Sequence, residues 1–468
     1  MPLLKPGWIL AACLILSGSL LLSTVRSLAA ETAGIARAPA GWRAAAPRDE
    51  IRPAFSFEPS GGPDSKGAFV IATDDRRGLA GDWAETVPVT GGHFYHFSVW
   101  RKTSGDPCPR RDSIVRILWL NARGRTPKPH PIAPVSYAPP ESEFAQIEPE
   151  YPTASDRISG DWNELAGTYQ APPDAVQAVI ELHHRWAPRA RVEWSIPSLA
   201  ETAAPAPRIV HLATVHYRPH GGRTVADNRR QFAPLIADAA RQGADLIVLP
   251  EALTRYDNGV NLRNSTEPIP GPSTDYFGGL ARRAHAYIVA GLIERDGPLI
   301  YNTAALIGPD GALVGKYRKT VLTRSEVDAG FTPGEPDYPV FSTPIGKIGL
   351  MICYEGFFPE VARQLADNGA EIIAWPVAGC DPLLAAARAC ENRVYVVSST
   401  YTDVSLHWMI SAIFDPQGRV MAQARTFGSV AVATVDLNRR FDRFNLGDFK
   451  SEMAGSRPIW VERADALR

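Results

Sequence analysis

The chain has 468 residues, with 49 lysines and arginines against 50 aspartates and glutamates and a hydrophobic content of 45%. This balance excludes a disordered polar chain and a polytopic membrane protein, and the formal net charge of -1 excludes a strongly basic nucleic-acid-binding protein. Because one hydrophobic core seldom organises so long a chain, the length predicts two domains.

Residues 1–30 have the layout of an export signal. Lys5 precedes an apolar run from Trp8 to Val25, and the small residues Ala29 and Ala30 follow it. This order predicts a secretory signal that is cleaved near Ala30, and therefore a periplasmic or extracellular protein. The run over residues 8–25 is also long enough to anchor the chain in a membrane if it is not cleaved.

Residues 54–200 carry the alternating pattern that is typical of half-buried strands. Four runs place apolar side chains at every second position: Tyr95, Phe97 and Val99; Val115, Ile117 and Trp119; Val176, Ala178, Ile180 and Leu182; Val192, Trp194 and Ile196. Such runs, separated by glycine and proline turns, predict an antiparallel β-sandwich. The proline-rich residues 127–152 predict a long, partly extended surface loop.

Two segments of this half, WAETVPVTGGHFYHFSVWRKT and YQAPPDAVQAVIELHHRWAPRARVEWSIPSL, resemble jelly-roll carbohydrate-binding and galactose-binding-like modules. The resemblance implies a jelly roll that could bind a glycan. Seven of the eleven tryptophans lie between Trp42 and Trp194. Their rings could stack on sugars, but aromatic side chains in a sandwich more often fill its core. Both uses of these tryptophans stay open.

After Ala206 the sequence alternates between strand and helix patterns. The pattern of residues 208–217 predicts a strand. The pattern of residues 225–242 predicts an amphipathic helix that ends at Gly243, and that of residues 244–250 predicts a buried strand. The alternation continues through residues 287–293, 303–307, 347–353, 360–368, 372–376 and 394–400. Such alternation predicts a layered α/β domain.

Three reactive side chains stand at the ends of these strands. Glu251 follows the apolar run LIVLP, Lys319 lies in KYRKTVL, and Cys353 lies between a strand and a helix in IGLMICYEGFFPEVARQL. Side chains at strand ends can converge at one edge of a sheet, and a strand-to-helix elbow exposes its central residue. The sequence therefore predicts a site that combines a carboxylate, an ammonium and a thiol.

This combination suits the hydrolysis of a carbon–nitrogen bond. A nearby cation lowers the pKa of a thiol, and Glu251 can accept the thiol proton and later deliver it to a leaving amine. Lys319 and the backbone N–H of Tyr354 can stabilise the oxyanion that forms at the attacked carbonyl. The predicted intermediate is an acyl-thioester on Cys353, which water then hydrolyses.

The segments LIVLPEAL, YNTAALIGPDGALVGKYRKTVL, GFTPGEPDYPVFSTPIGKIGLMICYEGFFPE and GAEIIAWP closely resemble the carbon–nitrogen hydrolase (nitrilase) superfamily. The resemblance spans about residues 208–441 and implies an αββα sandwich, a Glu251–Lys319–Cys353 triad, no cofactor and frequent dimerisation. It also implies that Glu326, which precedes the Pro333-Gly334 turn, positions the substrate. Two residues depart from the common pattern: Val321 replaces a histidine, and Glu355 replaces an aspartate. Both lie near the pocket and bear on substrate identity.

The sequence thus predicts an α+β protein with an export signal at 1–30, a jelly-roll β-sandwich at 54–200 and a four-layer αββα domain at 208–441. The predicted activity is that of an exported amidohydrolase, with Glu251 as base and acid, Lys319 as oxyanion stabiliser and Cys353 as nucleophile. Glu326 and Tyr354 are the predicted substrate-positioning residues, and neither a metal nor a cofactor is expected.

The expected partners are a small-molecule amide, a second copy of the chain in a homodimer or larger homo-oligomer, and a glycan if the first domain binds one. Two other functions stay open: a catalytically silent carbohydrate-binding scaffold, and acyl transfer to an amine. Cys108, Cys380 and Cys390 are predicted to remain thiols, because a helix beginning near Asp381 carries Cys390 away from Cys380.

Overall fold

The computed structural model describes residues 38–127, 148–256, 259–379, 381–402, 405, 410–441 and 448–458. The predicted export signal, most of the proline-rich loop and Cys380 lie outside these ranges. Among the helices of the described ranges, none has both the length and the apolar character needed to cross a bilayer.

The first half of the chain forms two antiparallel sheets. Its strands and one short helix are β1 (Arg43–Ala45), β2 (Ala54–Glu58), β3 (Ala68–Ala72), β4 (Ala80–Pro88), β5 (Phe94–Ser104), α1 (Pro109–Asp112), β6 (Val115–Asn121), β7 (Thr153–Ser159), β8 (Trp162–Gln170), β9 (Ala175–Arg185), β10 (Arg191–Ser195) and β11 (Ser198–Thr202). One sheet has the order β1-β4-β9-β6, and the other has the order β2-β3-β10-β5-β8-β7 with β11 paired to β5. Residues of both sheets, such as Phe97 and Ile180, share one hydrophobic core.

The predicted alternation is confirmed in β5 but is wrong at the start of β9. Tyr95, Phe97 and Val99 are buried in β5. Val176, by contrast, is 42% exposed. The register between β6 and β9 shifts so that Asn121 pairs with Ala175, and a bulge of this kind changes which side chains face the core.

Three of the seven tryptophans of this half fill the core. Trp83, Trp119 and Trp194 are buried, whereas Trp186 is 46% exposed. The Arg185 guanidinium lies 4.1 Å from the centroid of the Trp186 ring. Core packing is therefore confirmed for three of these residues, and glycan binding stays a prediction.

The second half alternates strands and helices in the predicted manner. Its elements are β12 (Ile209–His216), α2 (Val225–Arg230), α3 (Ala233–Arg241), β13 (Leu246–Val248), α4 (Pro272–Ala284), β14 (Tyr287–Asp296), β15 (Leu299–Ile307), β16 (Leu313–Arg318), α5 (Arg324–Asp328), β17 (Val340–Thr343), β18 (Gly346–Leu350), α6 (Pro359–Asp367), β19 (Ile372–Pro376), α7 (Pro382–Asn392), β20 (Tyr395–Ser399), β21 (Ser411–Phe414), β22 (Val420–Ala424), β23 (Ser429–Asp436) and α8 (Phe449–Ser456).

These elements build four layers. The two sheets have the orders β16-β15-β14-β13-β12-β23 and β17-β18-β19-β20-β21-β22. Their facing sides share a core that includes Leu212 and Val248 of one sheet and Ile372 of the other. Helices α3 and α4 cover the first sheet through Ile236 and Phe277, and α6 and α7 pack against the second sheet. The α/β half is therefore an αββα sandwich.

One predicted helix is divided in two. The pattern over residues 225–242 predicts a single helix, but α2 ends before α3 begins. Pro234 explains the break, because it has no N–H to donate and its ring crowds the carbonyl four residues earlier. The apolar stripe survives in α3, where Leu235, Ile236 and Ala239 are buried.

Ion pairs join the β-sandwich to the αββα sandwich. Arg440 donates to both carboxylate oxygens of Glu150, at 3.1 and 2.8 Å. Glu150 is buried, and this burial raises its pKa although Arg440 lowers it. A second pair, Lys347 with Asp156 at 3.0 Å, lies on the surface.

We expect Arg440→Met to destabilise the protein because it leaves the Glu150 carboxylate buried without its cation. The expected loss is about 2 kcal/mol, less than the roughly 3–5 kcal/mol typical of fully buried pairs, since the Arg440 side chain is 36% exposed. Urea denaturation followed by tryptophan fluorescence measures this loss. The control is Lys347→Met, which breaks the exposed pair and should cost less than about 1 kcal/mol. Equal losses in the two variants would contradict the prediction.

Candidate active site

Glu251 lies in a tight turn just beyond β13. The turn packs so closely against β14 that a Cβ atom at Gly291 would lie 2.5 Å from the Glu251 Cα atom. The Gly291 N–H donates to the Pro250 carbonyl at 3.2 Å, and the Leu253 N–H donates to the Gly291 carbonyl at 3.1 Å. These contacts fix the backbone that presents the buried Glu251 side chain.

Lys319 directly follows β16, and its backbone is held on both sides. Its N–H donates to the Asn302 carbonyl at 2.8 Å, and its carbonyl accepts from the Gly334 N–H at 2.9 Å. A Cβ atom at Gly334 would lie 2.2 Å from the Arg318 carbonyl oxygen. The Pro333-Gly334 turn therefore needs glycine to close against the lysine segment.

The Lys319 ammonium lies between two carboxylates. Its Nζ atom is 3.1 Å from Glu251 Oε1 and 2.9 Å from each oxygen of Glu326. Asn302 Nδ2 donates to Oε1 of both glutamates at 2.7 Å. The structure thus brings three of the predicted site residues together around one buried cation.

Glu326 has a second role at the start of α5. Its Oε2 atom accepts from the Thr323 N–H at 2.7 Å, while the Thr323 hydroxyl accepts from the Glu326 N–H at 3.3 Å. This reciprocal capping box fixes the glutamate beside the lysine. The sequence signal, threonine followed three residues later by glutamate, is visible in TRSE.

Cys353 stands at a strained elbow between β18 and α6. It begins a 3-10 helix (Cys353–Phe357) with φ of 41°, in the left-handed region. The Trp375 Nε1 atom donates to the Cys353 carbonyl at 3.2 Å. Gly356 leaves room for the Trp375 ring, because a Cβ atom there would lie 1.8 Å from it. Strain of this kind is commonly retained at functional positions.

The thiol is neutral in this environment. Burial raises the pKa of Cys353 well above its usual range, Glu251 raises it further, and Lys319 lowers it by less than these two effects. Lys319 does lower the thiol pKa, as the sequence predicts, but the effect of the cation is outweighed. Burial is the largest cause of the raised pKa, and the negative charge of Glu251 is the second.

Lys319 and Glu326 are both held in their charged forms. Burial alone lowers the pKa of Lys319, but Glu251, Cys353 and Glu326 more than offset it and raise the pKa above its usual value. Burial also acts against ionised Glu326, yet Lys319 and Asn302 bring its pKa below the usual range.

Tyr401 is a neighbour of the site that sequence reasoning missed. It follows β20, and its ring centroid lies 4.4 Å from that of Tyr256. Burial, with added contributions from Glu251 and Cys353, raises the pKa of Tyr401 well above its usual value, so the phenol stays protonated. Its place at a strand end is the same signal that identified Glu251.

Asn302 was also missed, although it stands in the quoted segment YNTAALIGP. Its bonds to two glutamates arise only when β15 is placed beside Lys319. Tyr354, which was predicted to contribute its backbone N–H, packs its ring against Phe357 and Phe358 at 5.5 and 5.2 Å between centroids. Its role toward the oxyanion stays a prediction. Among the residues that the structure describes, no cluster of three or more histidine, cysteine, aspartate or glutamate side chains is arranged to hold a metal ion.

Comparisons with known proteins identify a family for the second half of the chain. Residues 212–440 match the family model for carbon–nitrogen hydrolases. A nitrilase from Pyrococcus abyssi is 38% identical over 236 residues, which cover 47% of this chain and 88% of that protein. The chain belongs to the carbon–nitrogen hydrolase family. The omega-amidase NIT2 of Mus musculus is 32% identical over 234 residues, which cover 46% of this chain and 84% of that protein.

Membership of the carbon–nitrogen hydrolase family makes the chain an enzyme that acts on carbon–nitrogen bonds other than peptide bonds. The predicted superfamily resemblance is thereby confirmed for the second half of the chain. The jelly-roll resemblance of the first half stays a prediction.

The charges around the thiol predict opposite effects for two substitutions. Glu251→Gln removes a negative charge and should lower the Cys353 pKa, whereas Lys319→Met removes a positive charge and should raise it, each by about 1 unit or more. The pH midpoint of iodoacetamide labelling of the Cys353 peptide, followed by mass spectrometry, measures both shifts. Cys390 in the same samples is the internal control. Identical midpoints in all three proteins would refute this electrostatic assignment.

Proposed function

We propose that the protein is an exported amidase that hydrolyses a small non-peptide amide through an acyl-thioester on Cys353. The observation that carries this proposal is the Lys319 ammonium, shared by Glu251 and Glu326 at 2.9 to 3.1 Å and close enough to act on the thiol. The nitrilase and omega-amidase relatives support amide cleavage as the reaction class.

Because the resting thiol is neutral, acylation must include a proton transfer. Glu251 accepts the proton from Cys353 Sγ as the sulfur attacks the amide carbon, and the carbonyl π electrons move onto the oxygen. Lys319 and the Tyr354 N–H stabilise this oxyanion. When the oxyanion collapses, the carbon–nitrogen bond breaks and Glu251 returns the proton to the departing amine.

Deacylation repeats these roles with water as the nucleophile. Glu251 takes a proton from water while the water oxygen attacks the thioester carbon. The carbon–sulfur bond then breaks. The proton passes to the sulfur, which restores the neutral thiol and releases a carboxylic acid. Glu326 holds the Lys319 ammonium in place throughout, since both of its oxygens bind that cation.

Loss of the thiol should abolish turnover without unfolding the protein. We expect Cys353→Ala to lower ammonia release from small amides by about 10⁴-fold or more. The substrate panel includes monoamides of dicarboxylic acids and simple aliphatic amides, and Cys390→Ala is the matched control that keeps full activity. Mass spectrometry of acid-quenched wild type should show an acyl group on Cys353. Ammonia release retained in Cys353→Ala would overturn the proposal.

The same assay separates the other functions that the sequence left open. Addition of hydroxylamine or a primary amine diverts the thioester to a new amide if acyl transfer is the main reaction, whereas a hydrolase yields mostly the acid. A protein with no turnover on any amide or nitrile, yet with binding on a glycan array, would favour the silent scaffold. The proposed homodimer is consistent with family membership. The molar mass of the protein in solution measures whether it forms.

Export of the protein is part of the proposal and rests on the order of Lys5, the apolar run at residues 8–25 and Ala30. We expect the native host to deliver the protein outside the cytoplasm, with a mature amino terminus just after Ala30. Amino-terminal sequencing of protein from cell fractions measures both. An intact amino terminus in the membrane fraction would indicate an anchor, and uncleaved protein in the cytosol would contradict export.

A further inference from the structure

We propose that Glu355 is a positioning residue that sets the distance between the lysine segment and the cysteine elbow. This inference rests on the proposed function, because it concerns the geometry of the same site. Glu355 is two residues from Cys353 in the chain and is 0% exposed. Its partners are backbone and hydroxyl groups of neighbouring residues.

One oxygen of Glu355 holds the lysine segment. Its Oε1 atom accepts from the Thr320 N–H at 2.7 Å, from the Thr320 hydroxyl at 2.8 Å and from the Tyr317 hydroxyl at 2.6 Å. Thr320 is the residue after Lys319, and Tyr317 lies two residues before it in β16. These bonds therefore hold the chain on both sides of the catalytic lysine.

The other oxygen holds the cysteine elbow. The Oε2 atom accepts from the Ile352 N–H at 2.8 Å, one residue before Cys353. One carboxylate thus bonds to the backbone next to each of two catalytic residues, which belong to different sheets. Burial raises the pKa of Glu355, but its oxygens are the acceptors in all of these bonds, so the link rests on several hydrogen bonds at once.

The contacts also change the interpretation of Glu355 that the sequence suggested. Its place beside Cys353 suggested an effect on substrate identity, but its two oxygens are occupied by the scaffold and the side chain is fully buried. Its effect on the reaction is therefore through the relative placement of Lys319 and Cys353. Displacement of a catalytic group by about 1 Å can slow a reaction on the order of 100-fold.

The decisive variant is Glu355→Gln, which keeps the shape but replaces one acceptor oxygen with an NH2 donor. This NH2 must face an N–H or hydroxyl donor, so one of the two links is lost. We expect kcat for amide hydrolysis to fall about 100-fold while KM stays within about twofold. Glu355→Asp keeps both acceptor oxygens on a shorter side chain, so its kcat should stay within about tenfold of wild type.

The matched control is Asp415→Asn. Asp415 is also a buried carboxylate of the αββα sandwich, and its Oδ1 atom accepts from the N–H groups of Gln417 and Arg419 at 2.8 and 3.0 Å. Its loss should lower the melting temperature without changing kcat per folded enzyme. Glu355→Gln should in addition shift the pH midpoint of Cys353 labelling, because the thiol moves relative to Lys319 and Glu251.

Two results would overturn the inference. One is a kcat for Glu355→Gln within about threefold of wild type with an unchanged labelling midpoint, and the other is an equal loss of kcat in Asp415→Asn. If Glu355→Gln does not fold, Tyr317→Phe removes a single donor to Oε1, and an unchanged kcat and midpoint in that variant count against the inference. The labelling midpoint needs no substrate. A shifted midpoint in a protein whose wild type cleaves no amide would thus retain Glu355 as a positioning residue while rejecting the proposed function.

Discussion

The buried ammonium of Lys319 is the charge on which the site depends. Two carboxylates, Glu251 and Glu326, lie within 3.1 Å of it, in a place where water cannot screen their repulsion. Without the cation, the two buried carboxylates would repel each other, and the turn that carries one of them would move. The surrounding backbone is accordingly built to hold the lysine, with bonds from Asn302 and Gly334 to its own peptide groups.

Burial has the largest effect on the state of the nucleophile. Burial and Glu251 raise the Cys353 pKa by more than Lys319 lowers it, so Cys353 keeps its proton. In the proposed mechanism the base is therefore needed in each cycle, and the reactive anion forms only when the substrate carbonyl is in place. Glu251 raises the thiol pKa in the resting protein, and in that mechanism it also receives the proton during attack.

The sequence predicted those parts of the site that depend on local order. Glu251, Lys319 and Cys353 each stand at a strand end, and their joint occurrence in segments that resemble the carbon–nitrogen hydrolase superfamily singled them out. The bonds of Asn302 and Glu355 were not predictable in this way, because they form between segments that meet only after the sheets pack. The errors in the fold have similar causes: a bulge moved Val176 out of the core, and Pro234 overrode a helical stripe.

The neutral thiol also bears on the proposed location of the enzyme. Oxidants and disulfides react with thiolates far faster than with thiols, so a nucleophile that ionised freely at rest would be lost in an oxidising compartment. In Cys353 the proton is retained by burial and by Glu251, and its Sγ atom donates to the Gly379 carbonyl at 3.7 Å. Cys108 is likewise a thiol. If the enzyme is exported as proposed, a base that generates the thiolate only during attack protects the nucleophile at rest, and the same carboxylate that raises the Cys353 pKa accepts its proton in the reaction.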